Sequence, residues 1–93
     1  MSYIRVQWVH SFPDEPVWLI SELDGNRRET RKVEIFADGS KGYAAEGVEI
    51  GGTRLGFEAA PTLKEIGSDP QFLPEEITKE EFEEIWRARI ATH

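Results

Sequence analysis

Few residues in this 93-residue chain are of a type that could do chemistry, and they are scattered. There is no cysteine, and of the two histidines one, His93, is the last residue. The other, His10, closes a strand-like run two residues after Trp8. A histidine there could act as a general base if a carboxylate oriented it, and Asp14, Glu15 and Glu22 are the candidate orienters. No GxSxG nucleophile accompanies it. A lone histidine at a strand end is more often a hydrogen-bonded structural group. Neither HExxH nor an EF-hand loop occurs, and the glutamates between Glu75 and Glu84 fan around the solvent side of a helix. Gly47, Gly51, Gly52 and Gly56 match neither a Walker A loop nor GxGxxG, and are read as turn residues. No cofactor, no metal and no catalytic residue is therefore expected.

The one basic stretch is Arg27-Arg28-Glu29-Thr30-Arg31-Lys32. Alternation along a strand puts Arg27, Glu29 and Arg31 on one face, and Arg28, Thr30 and Lys32 on the other. One use of Arg31 and Lys32 would be in the site of a small enzyme or small-ligand-binding domain, together with His10 on one sheet face. Another would be contact with nucleic acid, helped by Trp8 or Trp18. Against the second stands a formal net charge of −7, which disfavours a phosphate backbone as partner. The cations are expected instead to pair with Glu22, Glu34 and helix carboxylates across neighbouring elements. The same acidity favours solubility and speeds association with a basic protein. Trp18, beside Pro16 and Val17, and Phe12, between Ser11 and Pro13, are candidate aromatic anchors for such a partner.

The elements that must position these residues are strands first and helices last. Tyr3 to Val9 alternates, with Ile4, Val6 and Trp8 on one face. Val17 to Leu23 is apolar on both faces near its start and reads as a central strand. Asp24-Gly25-Asn26 marks a hairpin turn. A two-residue turn would set Glu22 opposite Glu29, and a three-residue loop would pair Leu23 with Arg27; the apolar pattern favours the longer loop. The third strand runs from Arg27 to Phe36. Short strands follow around Gly42 to Ala45, Val48 to Ile50 and Thr53 to Phe57. Thr62 and Glu65 have capping-box spacing for a short helix ended by Gly67, and Asp69-Pro70 starts one more turn that Pro74 stops. In the last segment Ile77 and Phe82 form a hydrophobic staple around the cap Thr78, with Glu81 completing a capping box. Phe82, Ile85, Trp86 and Ile90 share one helical face, and Glu83 and Arg87 are spaced to pair.

The expected fold is thus a single α+β domain over residues 1–93. An antiparallel meander sheet of four to five strands packs on a C-terminal amphipathic helix, with one or two short helices before it. The expected core is Ile4, Val6, Trp8, Leu19, Val33, Ile35, Phe36, Leu55, Ile66, Phe72, Phe82, Ile85, Trp86 and Ile90. No apolar run approaches the ~18 residues of a membrane span, and no signal peptide is visible, so a cytoplasmic protein is expected.

Several short words recur together: W-x-H at Trp8 and His10, S-E-L-D from Ser21 to Asp24, R-K-V-E from Arg31 to Glu34, and F-x-D-G from Phe36 to Gly39. L-G at Leu55-Gly56, P-x-L-x-E-I from Pro61 to Ile66 and F-E-x-x-W from Phe82 to Trp86 complete the set. Over nearly the whole chain this pattern resembles a family of small bacterial domains of unknown function. The resemblance implies a stand-alone bacterial cytoplasmic domain and brings no catalytic residues. By analogy with other small acidic domains it implies an immunity protein, which neutralises a cognate toxin by binding it. The expected partner is then a basic toxin domain, met by Asp14, Glu15 and Glu22 with Phe12 or Trp18 as anchor.

Overall fold

The computed structural model describes residues 1–90, so His93 lies outside the described residues. Strands β1 (Ser2–Trp8), β2 (Trp18–Leu23), β3 (Glu29–Ile35), β4 (Lys41–Ala45) and β5 (Val48–Ile50) follow one another as an antiparallel meander. Helix α1 (Leu63–Gly67) leads to β6 (Phe72–Glu76), and helix α2 (Lys79–Arg87) runs into a 3₁₀ turn at Ala88–Ile90. The α+β class is as expected, but the sheet has six strands in the order β5-β4-β3-β2-β1-β6. The sixth is the segment whose prolines suggested only a helical turn. Pro74 is tolerated because β6 is an edge strand. There Leu73 and Glu75 sit opposite Gln7 and Arg5 of β1, and a proline needs no outward N–H. The expected strand from Thr53 to Phe57 does not form, and that segment is irregular.

Both helices start as their sequences dictate. The Thr62 hydroxyl accepts from the Glu65 N–H at 3.1 Å while the Glu65 carboxylate accepts from the Thr62 N–H at 3.0 Å. Thr78 and Glu81 repeat the arrangement at 3.0 and 2.9 Å. Each reciprocal box satisfies two donors that a helix start otherwise leaves open. Ile77 and Phe82, on either side of Thr78, are both buried in the same cluster.

The expected core list mixes two cores, because the sheet is covered on both faces. On one face α2 lays Phe82 on Tyr3, Ile20 and Val33, with Trp18, Ile35, Tyr43, Ile85 and Trp86 packed around them. On the other, Ile4, Val6 and Leu23 meet Leu19, Ala60, Leu63, Ile66 and Phe72. Strand β1, flanked by β2 and β6, therefore buries Tyr3 on one side and Ile4 and Val6 on the other. Alternation alone, reading one apolar face, misses Tyr3 and Ile20. Ile90, counted as core on helical periodicity, is 61% exposed, because the α-helix gives way to the 3₁₀ turn before it.

The β2–β3 hairpin settles its register with a bulge. The Arg27 N–H donates to the Asp24 carbonyl and the Asp24 N–H to the Arg28 carbonyl, both at 2.9 Å, leaving a three-residue loop. Arg27, the last of the three, is left-handed at φ 61°, the conformation that follows the turn in such loops. The loop length is the expected one, but Leu23 pairs with Glu29 and not with Arg27. Because Glu22 pairs with Arg31, Thr30 is the extra residue. The bulge slips Glu29 from the Arg31 face onto the Lys32 face.

Farther along the sheet, β4 meets β5 so closely that Gly42 has no room for a side chain. A Cβ there would collide with the Thr53 hydroxyl and lie 3.0 Å from the Ile50 carbonyl oxygen. Gly42→Ala is expected to cost about 1–3 kcal/mol by overpacking, read as a lowered urea midpoint at unchanged slope.

Candidate functional site: an acidic groove on the face opposite the long helix

The residues singled out above sort onto three separate surfaces. Glu22 and Arg31 lie beneath α2. Arg31 donates to Glu22 through Nε at 2.9 Å and Nη2 at 2.7 Å, and to Glu83 through Nη1 at 3.1 Å and Nη2 at 2.7 Å. Its guanidinium lies 4.9 Å from the Phe82 ring centre and 5.2 Å from that of Trp86. Thr30 adds a hydroxyl donor to Glu22 at 2.7 Å. Glu22 is 6% exposed. The hydrogen bonds from Arg31 hold its pKa down at about 2 against an opposing cost of burial, and Arg31 in turn also lowers that of Glu83. Burial, with the Glu22 charge second, pushes the Tyr3 phenol up. Glu22 is therefore no surface carboxylate for a partner. The expected Glu83–Arg87 pair is likewise replaced by Glu83–Arg31.

Trp18 shares that face. It is half-buried against the core, with the Arg5 guanidinium 5.8 Å from its ring centre, so it is a packing residue and not an open anchor. Arg31 and Lys32 point to opposite faces of the sheet, so no one face presents both to His10.

His10 acts at the sheet end. Its Nε2 lies 2.8 Å from the Pro16 carbonyl oxygen, and its Nδ1 accepts the Phe12 N–H at 2.9 Å. A neutral imidazole protonated at Nε2 satisfies both contacts. The ring so closes the loop between β1 and β2 and belongs to an aromatic row. Trp8 is 5.6 Å from Phe72, 4.3 Å from His10 and 6.3 Å from Phe12, centre to centre. Phe12 is 56% exposed, and Pro13, Asp14 and Glu15 beside it are exposed too.

Trp8, Asp14, Glu15 and Lys32 do come together, on the face opposite α2. They line one depression with Leu19 and Glu34. A second depression of about 340 Å³ meets it at Leu19 and Lys32, and has Ile4, Val6, Ile66 and Phe72 as its apolar walls. The two make one groove. Its charged side chains are the carboxylates of Asp14, Glu15, Glu29, Glu34, Glu65 and Asp69 and the single ammonium of Lys32. That ammonium is paired with Glu29 at 3.3 Å. Glu29, placed here by the bulge, also accepts from the Ser21 hydroxyl at 3.1 Å and from the Gly56 N–H at 2.6 Å. Glu34 accepts from Thr53 at 2.7 Å rather than from the basic stretch.

The rest of that stretch fastens the irregular segment before α1. Arg27 donates to the Ala60 and Pro61 carbonyls at 3.1 and 2.7 Å, Arg28 to the Phe57 carbonyl at 2.7 Å, and Lys32 to that of Arg54 at 3.4 Å. Phe57, on this pinned backbone, is 92% exposed. Sequence reasoning missed it by placing it at a strand end, and also missed Glu65, Ile66 and Asp69 as groove residues. Nothing local shows that α1 comes to lie over β1 and β2. Among the described residues no group of histidine and carboxylate side chains could hold a metal ion, and no helix is long and apolar enough to cross a membrane.

The fold is that of an α+β domain built on a six-stranded antiparallel sheet. Residues 2–91 match the model of a family described as a domain of unknown function (DUF6881), and the chain belongs to that family. No curated protein and no solved structure matches it.

The Arg31 clasp makes stability depend on pH. Glu22 has its pKa lowered from 4.5 to about 2. Its contribution is therefore complete above about pH 4.5 and is lost as pH falls from there toward 2. Its size is on the order of 3 kcal/mol. Urea unfolding at a series of pH values should show that loss, and Glu22→Gln should flatten it while costing about 1–3 kcal/mol at neutral pH, because Arg31 loses one charged partner and keeps Glu83.

Proposed function

We propose that this domain is a non-catalytic binding protein that occludes a basic protein partner through the acidic groove and the adjoining loop of Phe12, Asp14 and Glu15. The observation that carries this reading is the groove's charge: six carboxylates, of which one, Glu29, is paired with the single ammonium, so five are left over. An excess of carboxylates along an open, apolar-floored surface attracts a cationic surface from a distance and penalises an acidic one. The latch at His10 holds the loop backbone before any partner arrives, which lowers the ordering cost of association. Phe12, standing out beside those acids, supplies an aromatic anchor.

In its most concrete form the reading is a bacterial, cytoplasmic immunity protein whose target is the basic active region of a toxin. Nucleic acid fits poorly, because the cations of the basic stretch are engaged by the chain's own carboxylates and backbone carbonyls. The alternative of a small-ligand site built on His10 with Arg31 and Lys32 is less favoured, since both ring nitrogens of His10 are already satisfied and the two cations face apart.

The test is recovery of a partner from native lysate by the tagged protein, followed by association kinetics with the purified partner. The expected partner is basic and stoichiometric, and its association slows steeply with salt. Asp14→Lys with Glu15→Lys should slow it about tenfold or more at low salt. An acidic partner, or a rate indifferent to both salt and these changes, would overturn the reading.

A further inference from the structure

The apolar half of the groove does more than complete a charged surface. Its volume of about 340 Å³ falls at the small end of ligand pockets, which span roughly 300–1,000 Å³. The floor is Val6, Ile4 and Leu19 on two paired strands, and the walls are Phe72 and Ile66. All five also belong to the packed cluster of this face, so the cleft is backed by fixed side chains. Glu65 and Asp69 stand at its lip, and the other two charged residues that line it, Lys32 and Glu29, neutralise each other as an ion pair. Among the described residues neither Glu65 nor Asp69 joins an ion pair, and each spends one oxygen on a local backbone N–H.

An apolar cleft with this lip is selective in two ways. The lip disfavours an acidic occupant, and a fully polar one would leave the apolar walls unfilled. A second copy of this chain is also a poor occupant, because two surfaces of the same acidic charge would be pressed together. The geometry points to a specific recognition element on the partner: one large apolar side chain, inserted in the cleft between Ile66 and Leu19, with lysine or arginine directly beside it in sequence to reach Glu65 and Asp69. This deepens the reading of the groove as a dock for a basic protein and rests on it. It adds to Phe12 a second anchor, this one carried by the partner, with the socket on this chain.

The element is small enough to test without the partner. Acetyl-Lys-Phe-Lys-amide would be titrated to about 10 mM into ¹⁵N/¹³C-labelled full-length protein, beside acetyl-Lys-Ser-Lys-amide and acetyl-Glu-Phe-Glu-amide. The expected result is saturable methyl and ring shifts at Ile4, Leu19, Ile66 and Phe72 with the first peptide only. Glu65→Gln with Asp69→Asn, which keep the capping and turn hydrogen bonds, should weaken that binding about threefold to tenfold at low salt. Ile66→Trp, which fills the cleft, should abolish it, and a retained spectrum elsewhere shows that the variant is folded. Shifts that are absent, equal for the serine peptide, or mapped outside the cleft would overturn the inference. The wider reading fails separately, on the charge and salt dependence of the whole partner.

Discussion

Arg31 is the constraint on which the rest of this domain depends. It lies where sheet and long helix meet, bonded to Glu22 of β2 and Glu83 of α2, with the Phe82 and Trp86 rings close to its guanidinium. Replacing such a group by a well-packed apolar side chain is often neutral, whereas removing one partner leaves a buried charge exposed to a low dielectric. The clasp thus ties β2, β3 and α2 together at one point, and each carboxylate depends on the same guanidinium. Only one placement of α2 on the sheet brings a Glu83 carboxylate to a guanidinium already anchored by Glu22. The clasp adds to the apolar contacts of the same helix face, where Phe82 is fully buried and Ile85 and Trp86 pack around it.

The bulge at Thr30 links that clasp to the opposite face. Without it, strict alternation would put Glu29 beside Arg31, where Glu22 already supplies the charge. With it, Glu29 turns to Ser21, Lys32 and Gly56 and becomes the post to which the irregular segment is tied. Arg27, held left-handed at φ 61°, completes the tie through the Ala60 and Pro61 carbonyls. The segment crosses the molecule with no ladder of its own, and a few charged side chains satisfy backbone groups that would otherwise compete for water. One extra residue in β3 therefore governs both the helix contact and the wall of the groove.

These dependencies explain what could be read in advance. Capping boxes, the hydrophobic staple and the Asp24-Gly25-Asn26 turn are local, and each was legible because its partners lie within a few residues. The pairing of the basic stretch with Glu22 and a helix carboxylate was legible from charge balance, although Glu34 turned out to serve Thr53. The bulge was not legible: Glu-Thr-Arg carries no signal that Thr30 will be left over, and one slip reassigns every side chain before it. The sixth strand was hidden by Pro74, which is permissible only at an edge, and edge position is a property of the whole sheet. The groove was half legible. Trp8, Asp14, Glu15 and Lys32 stood out by type, but Glu65, Ile66 and Asp69 join them only because α1 folds back over β1 and β2.

The surface charge follows from the same economy of partners. Of the eleven lysines and arginines, Arg5, Arg31, Lys32 and Arg54 meet carboxylates, while Arg27, Arg28, Lys41 and Arg89 meet backbone carbonyls. Cations spent on carbonyls neutralise no carboxylate, so the acidic excess is left to face outward. Nor do the strand edges invite a further strand. β5 is three residues long, and β6 has Pro74 at its centre. A partner is then drawn to a face rather than to an edge. Of the two faces, one is closed by α2 and its clasp, and the other retains an open cleft walled with carbon, in which carboxylates outnumber the one ammonium. Such a surface discriminates by what it repels as much as by what it binds. An acidic competitor is refused at the rim, and a basic but wholly polar one leaves apolar surface in water.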